Sequence, residues 1–161
     1  MKFSTEERVK APADWVFARL SDVPSIERAG RRRGARVERV GEGHAAGEGG
    51  RPVPGAAWKV GFDLRGKRYD ADAALTAFDP PREIRIEGDS RGLRGAARIT
   101  VTPDGDAACR VAVALDLSAS GMGAKAVLQT LKLARGPLNA RFERAVEDTA
   151  HALSYRYAGG A

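Results

Sequence analysis

The sequence predicts an α+β fold in which seven antiparallel strands form a sheet and a long C-terminal helix packs across its concave face. Two patterns support this prediction: residues 34–117 mostly alternate apolar and polar positions with a period of two, and apolar residues recur at helical spacing over residues 120–157. Because the helix follows a continuous run of strands, the sheet is the surface on which it can bury its apolar stripe. The expected order is one strand, two short helices, six strands and the long helix.

The composition fits one globular domain over residues 1–158, followed by a short tail at 159–161. The chain is 43% hydrophobic and 30% charged, and no apolar run approaches the roughly 18 residues that a membrane span needs. The first eight residues carry charges where a signal peptide would need an apolar segment, so we expect a cytoplasmic protein. Cys109 is the only cysteine, which excludes an internal disulfide and a cysteine-cluster metal site.

The N-terminal segment is expected to form a strand and two short helices. Phe3 and Val9 share one strand face, and Glu7 lies on that same face. Pro12 opens the first helix, since its fixed φ suits the first turn. The Pro24 region, residues 24–29, forms the second helix.

A second strand is predicted over residues 36–40 and a long loop over residues 41–55. The loop holds six glycines and two prolines with almost no apolar residue, and it also contains His44. It shows no phosphate-loop pattern and lies in no strand–loop–helix setting, so nucleotide binding is not predicted.

The third and fourth strands form a hairpin whose register follows from charge and size together. A turn at Arg65 and Gly66 sets aromatic and small residues opposite each other on one face and opposite charges on the other. The predicted pairs are Phe62 with Tyr69, Val60 with Ala71, Trp58 with Ala73, Asp63 with Arg68, and Lys59 with Asp72. A slip of one residue would turn the aromatic residues outward and lose both ion pairs.

The next two hairpins are assigned in the same way. With a turn at Ser90 and Arg91, the predicted pairs are Ile84 with Ala97, Ile86 with Gly95, Glu83 with Arg98, and Glu87 with Arg94. For the last hairpin, a loop with Gly105 in a bulge sets Val111 opposite Ile99, and we favour this loop. The alternative two-residue loop sets Arg110 there instead.

The C-terminal helix carries an inward stripe at spacings of three and four residues. The stripe includes Leu131, Arg135, Leu138 and Phe142. We expect Gly136-Pro137 to kink or restart the helix near its middle.

This order of elements resembles the START and polyketide-cyclase superfamily, also called SRPBCC proteins and typified by the birch-pollen-allergen fold. The matching segments are VKAPADWVFARLSD at 9–22, GAAW at 55–58, FDPPR at 78–82 and VALDL at 113–117. The resemblance covers residues 1–158 and implies a helix-grip fold, in which the sheet wraps around the C-terminal helix and leaves a hydrophobic tunnel. The superfamily has no common catalytic signature, so the resemblance supports a cavity and assigns no catalytic residue.

The inner face of the sheet is unevenly filled, which is typical of a ligand cavity lined by aromatic residues over a floor of small ones. The alternative is that the helix packs closer over the small residues and leaves no void. The candidate ligand-binding residues are Trp58, Val60, Phe62, Tyr69, Ala71, Ala73, Ile84, Ile86, Gly95, Ala97, Val113, Leu131, Arg135, Leu138 and Phe142.

Three polar residues are candidates for orienting or acting on a ligand. Glu7 is a candidate acid or base if it is buried, and a strand-end residue that reaches solvent otherwise. Tyr69 offers a hydroxyl, which would otherwise satisfy a backbone group. Arg135 could hold an anionic ligand or pair with Glu7, or could extend its head into water. The two histidines are not at metal-ligand spacing, so neither a metal nor a cofactor is predicted.

These observations predict a protein that binds or carries a hydrophobic small molecule, such as a lipid, a polyketide-like compound or an aromatic compound. One alternative is a cyclase or dehydratase acting on polyketide-like substrates. Another is an interaction module that uses a basic cluster, whose members are Arg28, Arg31, Arg32, Arg33, Arg36 and Arg39. No nucleic-acid partner is expected and transient membrane contact is allowed, while the sequence predicts no oligomeric state.

Overall fold

The structure is a computed structural model that describes residues 1–40, 54–64 and 66–160. In chain order its elements are β1 (Lys2–Val9), α1 (Ala13–Leu20), α2 (Val23–Arg32), β2 (Arg36–Val40), β3 (Ala57–Leu64), β4 (Lys67–Asp79), β5 (Glu83–Ser90), β6 (Leu93–Pro103), β7 (Cys109–Ala119), α3 (Met122–Leu133) and α4 (Arg135–Gly160). The predicted sequence of strand, two helices, six strands and C-terminal helix is confirmed. The predicted loop over residues 41–55, with His44, lies mostly outside the described residues.

The strands form one antiparallel sheet in the order β1-β7-β6-β5-β4-β3-β2. Every strand except β1 pairs with its neighbour in sequence, and β1 closes the far edge beside β7. The C-terminal helices pack on this β1 side, α4 mainly against β1 and α3 against β6 and β7. The predicted helix-grip architecture is therefore confirmed.

The predicted register of the β3–β4 hairpin is confirmed. Phe62 lies opposite Tyr69 and Trp58 lies opposite Ala73, with the charged side chains on the other face. The predicted ion pairs of Asp63 with Arg68 and of Lys59 with Asp72 are wrong among the described residues, because Asp63 pairs with Arg36 at 3.8 Å and Arg68 with Asp70 at 3.7 Å. The rings of Phe62 and Tyr69 stack with centroids 5.5 Å apart and planes inclined by 15°. Arg65, placed in the turn by the prediction, lies outside the described residues.

The predicted register of the β5–β6 hairpin is wrong by two residues. Ile84 faces Ile99 and Ile86 faces Ala97. The turn residues are Arg91 and Gly92, with φ of 52° and 91°. Positive φ at both central residues is the geometry that two-residue hairpins favour, and it moves the turn one residue along the chain.

The ion pairs of this hairpin change with the register, although the inner face does not. Arg98 still pairs with Glu83 on a diagonal, whereas Arg94 pairs with Asp89 at 3.3 Å in place of Glu87. A shift of two residues leaves every side chain on its predicted face, because the strand period is two.

The β6–β7 register differs from both predicted alternatives. Val113, and not Val111 or Arg110, lies opposite Ile99. The loop is longer than predicted, since Pro103 pairs with Cys109 and the Asp104 N–H donates to the Ala108 carbonyl at 2.9 Å.

The C-terminal helix divides at Ala134, three residues before Pro137. Pro137 has no N–H to bond the Leu133 carbonyl one turn earlier, so the helical hydrogen-bond ladder cannot run through this point. The ladder resumes where the Leu138 N–H donates to the Ala134 carbonyl at 3.1 Å. The predicted interruption near Gly136-Pro137 is confirmed.

The hydrophobic core lies at the α1 end of the sheet. Val9, Val16 and Cys109 have no exposed surface there, and burial raises the pKa of the Cys109 thiol. Trp15 of α1 meets Tyr157 of α4 edge to face, with centroids 5.0 Å apart, which joins the two ends of the chain. Among the described residues, no helix has the length and apolarity that crossing a bilayer requires.

Candidate functional site

The inner face of the sheet is closed at one end and open at the other. At the α1 end, Leu75, Ile84, Val101 and Val111 are at most 5% exposed. Further along the same strands, the inward positions are only half-buried. These positions include Val60, Phe62, Tyr69, Ala71, Ala73, Ile86, Gly95, Ala97, Val113 and Leu117. The change in burial along the strands defines a groove on the inner face.

The floor of this groove is a row of small residues across three strands. Ala73 faces Gly88, and Gly88 faces Gly95. Trp58 and Leu117 flank the row on either side. A Cβ atom added at Gly88 would lie 3.4 Å from the Asp72 carbonyl oxygen and 3.9 Å from the Ala73 Cβ, which are ordinary contact distances. A Cβ atom added at Gly95 would lie 3.3 Å from Leu117 Cδ2, so there is room for a methyl group at Gly88, whereas the Leu117 side chain packs against Gly95.

An apolar cavity of about 220 Å³ lies between α2 and the sheet. Its walls come from α2, β2 and the inner strands, and they include Val23, Ile26, Val37 and Leu75. Five of the predicted ligand-binding residues also line it, namely Trp58, Val60, Ala73, Ile84 and Ile86. Because Ala73 belongs to both, the cavity borders the small-residue floor at this residue.

The one charged residue in this cavity wall is Glu27, which is 5% exposed. Arg39 of β2 donates to both of its carboxylate oxygens, from Nε at 2.7 Å and from Nη2 at 2.8 Å. The Trp58 indole N–H donates to the same carboxylate at 3.3 Å. This paired arrangement fastens α2 to β2 and holds the Trp58 ring in place.

The Arg39 hydrogen bond lowers the pKa of Glu27 below its ordinary value, against burial, which acts in the opposite direction. The same bond raises the pKa of Arg39. Glu27 is therefore ionised and fully engaged, which makes it a structural anchor and a poor proton acceptor. The sequence analysis did not single it out, although it shares a helix face with Val23 and Gly30.

The other end of the groove is lined by the stacked Phe62–Tyr69 pair. A second cavity of about 240 Å³ lies beside it, with Tyr69, Leu93, Ala124 and Val127 in its walls. Within the described part of the chain, the Tyr69 hydroxyl makes no hydrogen bond. Tyr69 therefore supplies a hydroxyl at this end, where Lys67, Arg68, Asp70, Ser90 and Arg91 also line the cavity.

The predicted helix residues separate into two groups. Leu131, Leu138 and Phe142 are half-buried, and the Phe142 ring lies 5.9 Å from that of Phe3. Arg135 does not line the groove, contrary to the prediction. It is exposed, its Nη2 donates to the Lys2 carbonyl at 3.0 Å, and its guanidinium lies 5.7 Å from the Phe3 ring centroid. The break at Ala134 starts a new helix at this residue and directs its side chain to the β1 edge.

Glu7 lies on the inner face opposite Val111, at the closed end of the sheet. It is half-buried, and its carboxylate makes no hydrogen bond or ion pair with any residue that the structure describes, so the predicted pair with Arg135 is absent. About ten residues of strand separate the positions of Glu7 and Tyr69, or roughly 33 Å along the strand direction. The two groups therefore cannot meet at one reacting bond.

Metal-ligating side chains do not gather in the described ranges, where no group of three or more His, Cys, Asp or Glu residues is placed to hold an ion. His151 is exposed on α4. Among the described residues, the inner face along the groove is thus mainly apolar, with the Tyr69 hydroxyl at the open end and the Glu7 carboxylate far from it.

A family model described as polyketide cyclase / dehydrase and lipid transport matches residues 1–154. The chain belongs to this family. No curated protein matches it.

Solved structures of the polyketide cyclase / dehydrase and lipid transport fold align over nearly the whole chain. An aromatase/cyclase from a Streptomyces species is 15% identical with a TM-score of 0.71, and the alignment covers 100% of this chain and 99% of that one. Norcoclaurine synthase from Thalictrum flavum is 16% identical with a TM-score of 0.64, covering 97% and 87%. A START superfamily protein from Mycobacterium smegmatis is 18% identical with a TM-score of 0.52, covering 89% and 98%. At these identities the likeness establishes the fold.

Proposed function

We propose that the chain binds or carries a hydrophobic small molecule, such as a lipid, a polyketide-like compound or an aromatic compound, in the groove on the inner face of the sheet. One observation carries the proposal: the apolar cavity under α2, which inner-face residues of the sheet line, borders a half-buried row of small residues, Ala73, Gly88 and Gly95. A sheet that served only to pack a helix would place larger side chains in such a row, because protein interiors are close-packed.

The polarity of the groove orients the proposed ligand. Each Å² of apolar surface that leaves water on binding contributes roughly 25 cal/mol, so the apolar part of the ligand belongs under α2. The Tyr69 hydroxyl would meet a polar group at the other end. The norcoclaurine synthase structure holds dopamine and hydroxybenzaldehyde, which supports including aromatic compounds among the candidates.

Filling the groove tests the proposal. Ala97 faces the groove beside the small-residue floor, whereas its chain neighbour Ala96 faces outward. Ala97→Phe should abolish the rise in melting temperature that a binding lipid or aromatic compound gives, and Ala96→Phe should leave it intact. Thermal unfolding with a panel of fatty acids, phospholipids and polycyclic aromatic compounds measures this, and native mass spectrometry identifies any molecule that co-purifies.

Circular dichroism of both variants separates loss of binding from loss of folding. The proposal fails if no compound of the panel stabilises the wild-type protein, or if the two variants lose stabilisation equally.

A second candidate function is cyclisation or dehydration of a polyketide-like substrate, and the half-buried, unpaired Glu7 carboxylate favours it. Ring closure of a polyketide needs a base that removes a proton from a carbon between two carbonyl groups, and a carboxylate can serve. Because Glu7 lies at the closed end of the sheet and Tyr69 at the open end, Glu7 would act without the Tyr69 hydroxyl, on a substrate that reaches the closed end.

Glu7→Gln distinguishes the two functions, because it keeps the size of the side chain and removes the base. Under the cyclase reading, turnover of a poly-β-ketone thioester falls at least about a hundredfold while its binding is unchanged. Equal turnover by the wild-type and variant proteins would exclude Glu7 as the base.

A further inference from the structure

We propose that α2 and β2 form a docking face for anionic lipid bilayers. We call it the basic face and define it by Arg28, Arg31, Arg32, Arg33 and Arg36, all of which are exposed. The inference concerns where the protein meets a membrane and does not depend on which small molecule it binds.

The basic face carries positive charge that the described residues leave largely uncompensated. Residues 23–40 contain six arginines and only two glutamates. One of these glutamates, Glu27, is buried and engaged by Arg39. Arg36 lies 3.8 Å from Asp63, and the side chains of Arg32 and Arg33 make no hydrogen bond or ion pair with any described residue.

The favourable interaction of cations with the C-terminal end of α2 explains only some of the arginines in the basic face. Cations in the last turn of a helix stabilise its C-terminal dipole, and Arg31 already donates to the Val37 carbonyl at 2.9 Å just beyond the end of α2. Arg32 and Arg33 point into solvent without such a contact, so their charges remain available to an anionic partner.

Two apolar side chains are also exposed on these two elements. Ile26 is 39% exposed on α2 and Val40 is 37% exposed on β2. Ile26 also lines the apolar cavity under α2, together with Val37. The cavity therefore reaches the surface beside the basic face.

This combination matches a bilayer surface better than a nucleic acid. Basic residues draw a protein to anionic headgroups, and nearby apolar residues insert at the boundary of the acyl chains. Nucleic-acid surfaces commonly pair basic residues with aromatic rings for base stacking, and neither α2 nor β2 contains an aromatic residue. If the proposed function holds, a lipid could pass between bilayer and groove at this face.

Vesicle binding tests the basic face directly. The wild-type protein should co-sediment with phosphatidylcholine vesicles that contain about one-third phosphatidylglycerol at physiological ionic strength, and not with pure phosphatidylcholine vesicles. Each neutralised arginine should weaken partitioning about fivefold, so Arg32→Gln combined with Arg33→Gln should weaken it roughly 25-fold.

The matched control is Arg141→Gln combined with Arg144→Gln. These two arginines are exposed on α4 and make no ion pair with any described residue, but they alternate with Glu143 and Glu147. The control variant should bind anionic vesicles as the wild-type protein does. Circular dichroism should show that both double variants keep the fold.

Four outcomes would overturn the inference. They are no binding to anionic vesicles, equal binding to neutral vesicles, an equal loss in the control variant, and tighter binding to duplex DNA with the same dependence on Arg32 and Arg33. Thermal shifts with small molecules in vesicle-free solution test the groove independently. A protein that fails the vesicle assay and still binds those molecules would refute the docking face alone.

Discussion

The ion pair between Glu27 and Arg39 joins α2 to β2. Its two side chains differ in how much of their surface is exposed to water. The Glu27 side chain is 6% exposed and that of Arg39 is 47% exposed. Removing the arginine leaves a carboxylate buried without its cation, whereas removing the carboxylate charge leaves an arginine that can turn to water. Replacing Arg39 should therefore destabilise the protein more than replacing Glu27 does.

We expect Arg39→Met to lower the free energy of unfolding by about 2–4 kcal/mol and Glu27→Gln to lower it by about 1 kcal/mol. Urea unfolding of each variant measures the difference. Arg94→Met is the control, since its pair with Asp89 is exposed on both sides and should contribute no more than about 1 kcal/mol. Equal losses for Arg39→Met and Glu27→Gln would contradict this account.

The lowered pKa of Glu27 also predicts how stability depends on pH. Because the carboxyl group binds its proton more weakly in the folded state, its contribution is complete above the unfolded pKa, about 4.3, and declines as the pH falls through the folded pKa. The wild-type protein should lose more stability than Glu27→Gln between about pH 5 and pH 3. Glu83, whose pKa Arg98 also lowers, is common to both proteins and cancels in the difference. Parallel stability curves would show that Glu27 contributes nothing.

The sequence pattern predicted which residues face the groove, but it did not predict the Glu27 carboxylate that holds the Trp58 ring in place. Trp58, Phe62 and Tyr69 were placed on the inner face because two ion pairs and a strand period of two leave one acceptable register. Glu27 was not predicted because Arg39 contacts it only when β2 packs beside α2, which the sequence pattern does not show. Its position four residues after Val23, on the buried face of α2, was the available signal.

At the scale of elements, the β5–β6 turn supports the start of α3. The Ser120 N–H donates to the Gly92 carbonyl at 2.9 Å. Gly92 has φ of 91°, and a Cβ atom there would lie 2.3 Å from the Ser120 carbonyl oxygen. No side chain fits this position without separating the hairpin from the β7–α3 junction.

Gly92→Ala should therefore lower the free energy of unfolding by at least about 3 kcal/mol. Gly105→Ala is the matched control, because Gly105 has φ of 78° and open space around it, so only the conformational cost of about 1 kcal/mol applies. Chemical denaturation of the two variants gives the comparison. Similar losses at both positions would mean that the Ser120 carbonyl moves away from the new Cβ atom at little cost in free energy.

The same turn shows why one register was predicted correctly and another was not. Inward and outward side chains alternate so regularly along β5 and β6 that a register shift of two residues leaves each side chain on the same face of the sheet. Arg98 can still reach Glu83 after this shift. The deciding factor was the positive φ of Arg91, a non-glycine residue that a sequence pattern does not place in that conformation. The helix break was predictable because the missing N–H of Pro137 is a property of the residue itself.

For the whole molecule, the uneven distribution of burial separates a tightly packed half from the half that contains the groove. The fully buried residues Val9, Val16 and Cys109 lie at the α1 end, where β1, β6 and β7 meet. The half-buried inner positions lie on β3, β4 and the far ends of β5 to β7. Local opening costs least free energy where few apolar contacts are lost, so the two halves should open independently.

Hydrogen exchange measured by mass spectrometry should show this division. We expect the slowest amides in β7 and the adjoining part of β6, which pair with a strand on each side and pack on the core, and fast exchange in the edge strand β2. A bound small molecule should slow exchange in β3 and β4 and leave the Val9–Cys109 region unchanged, because that region is already closed. Uniform protection without ligand, or slowing confined to the α1 end on binding, would show that the core and the groove form one cooperative unit. With this division, the strands around the groove can open without exposing the core at the α1 end that holds the fold together.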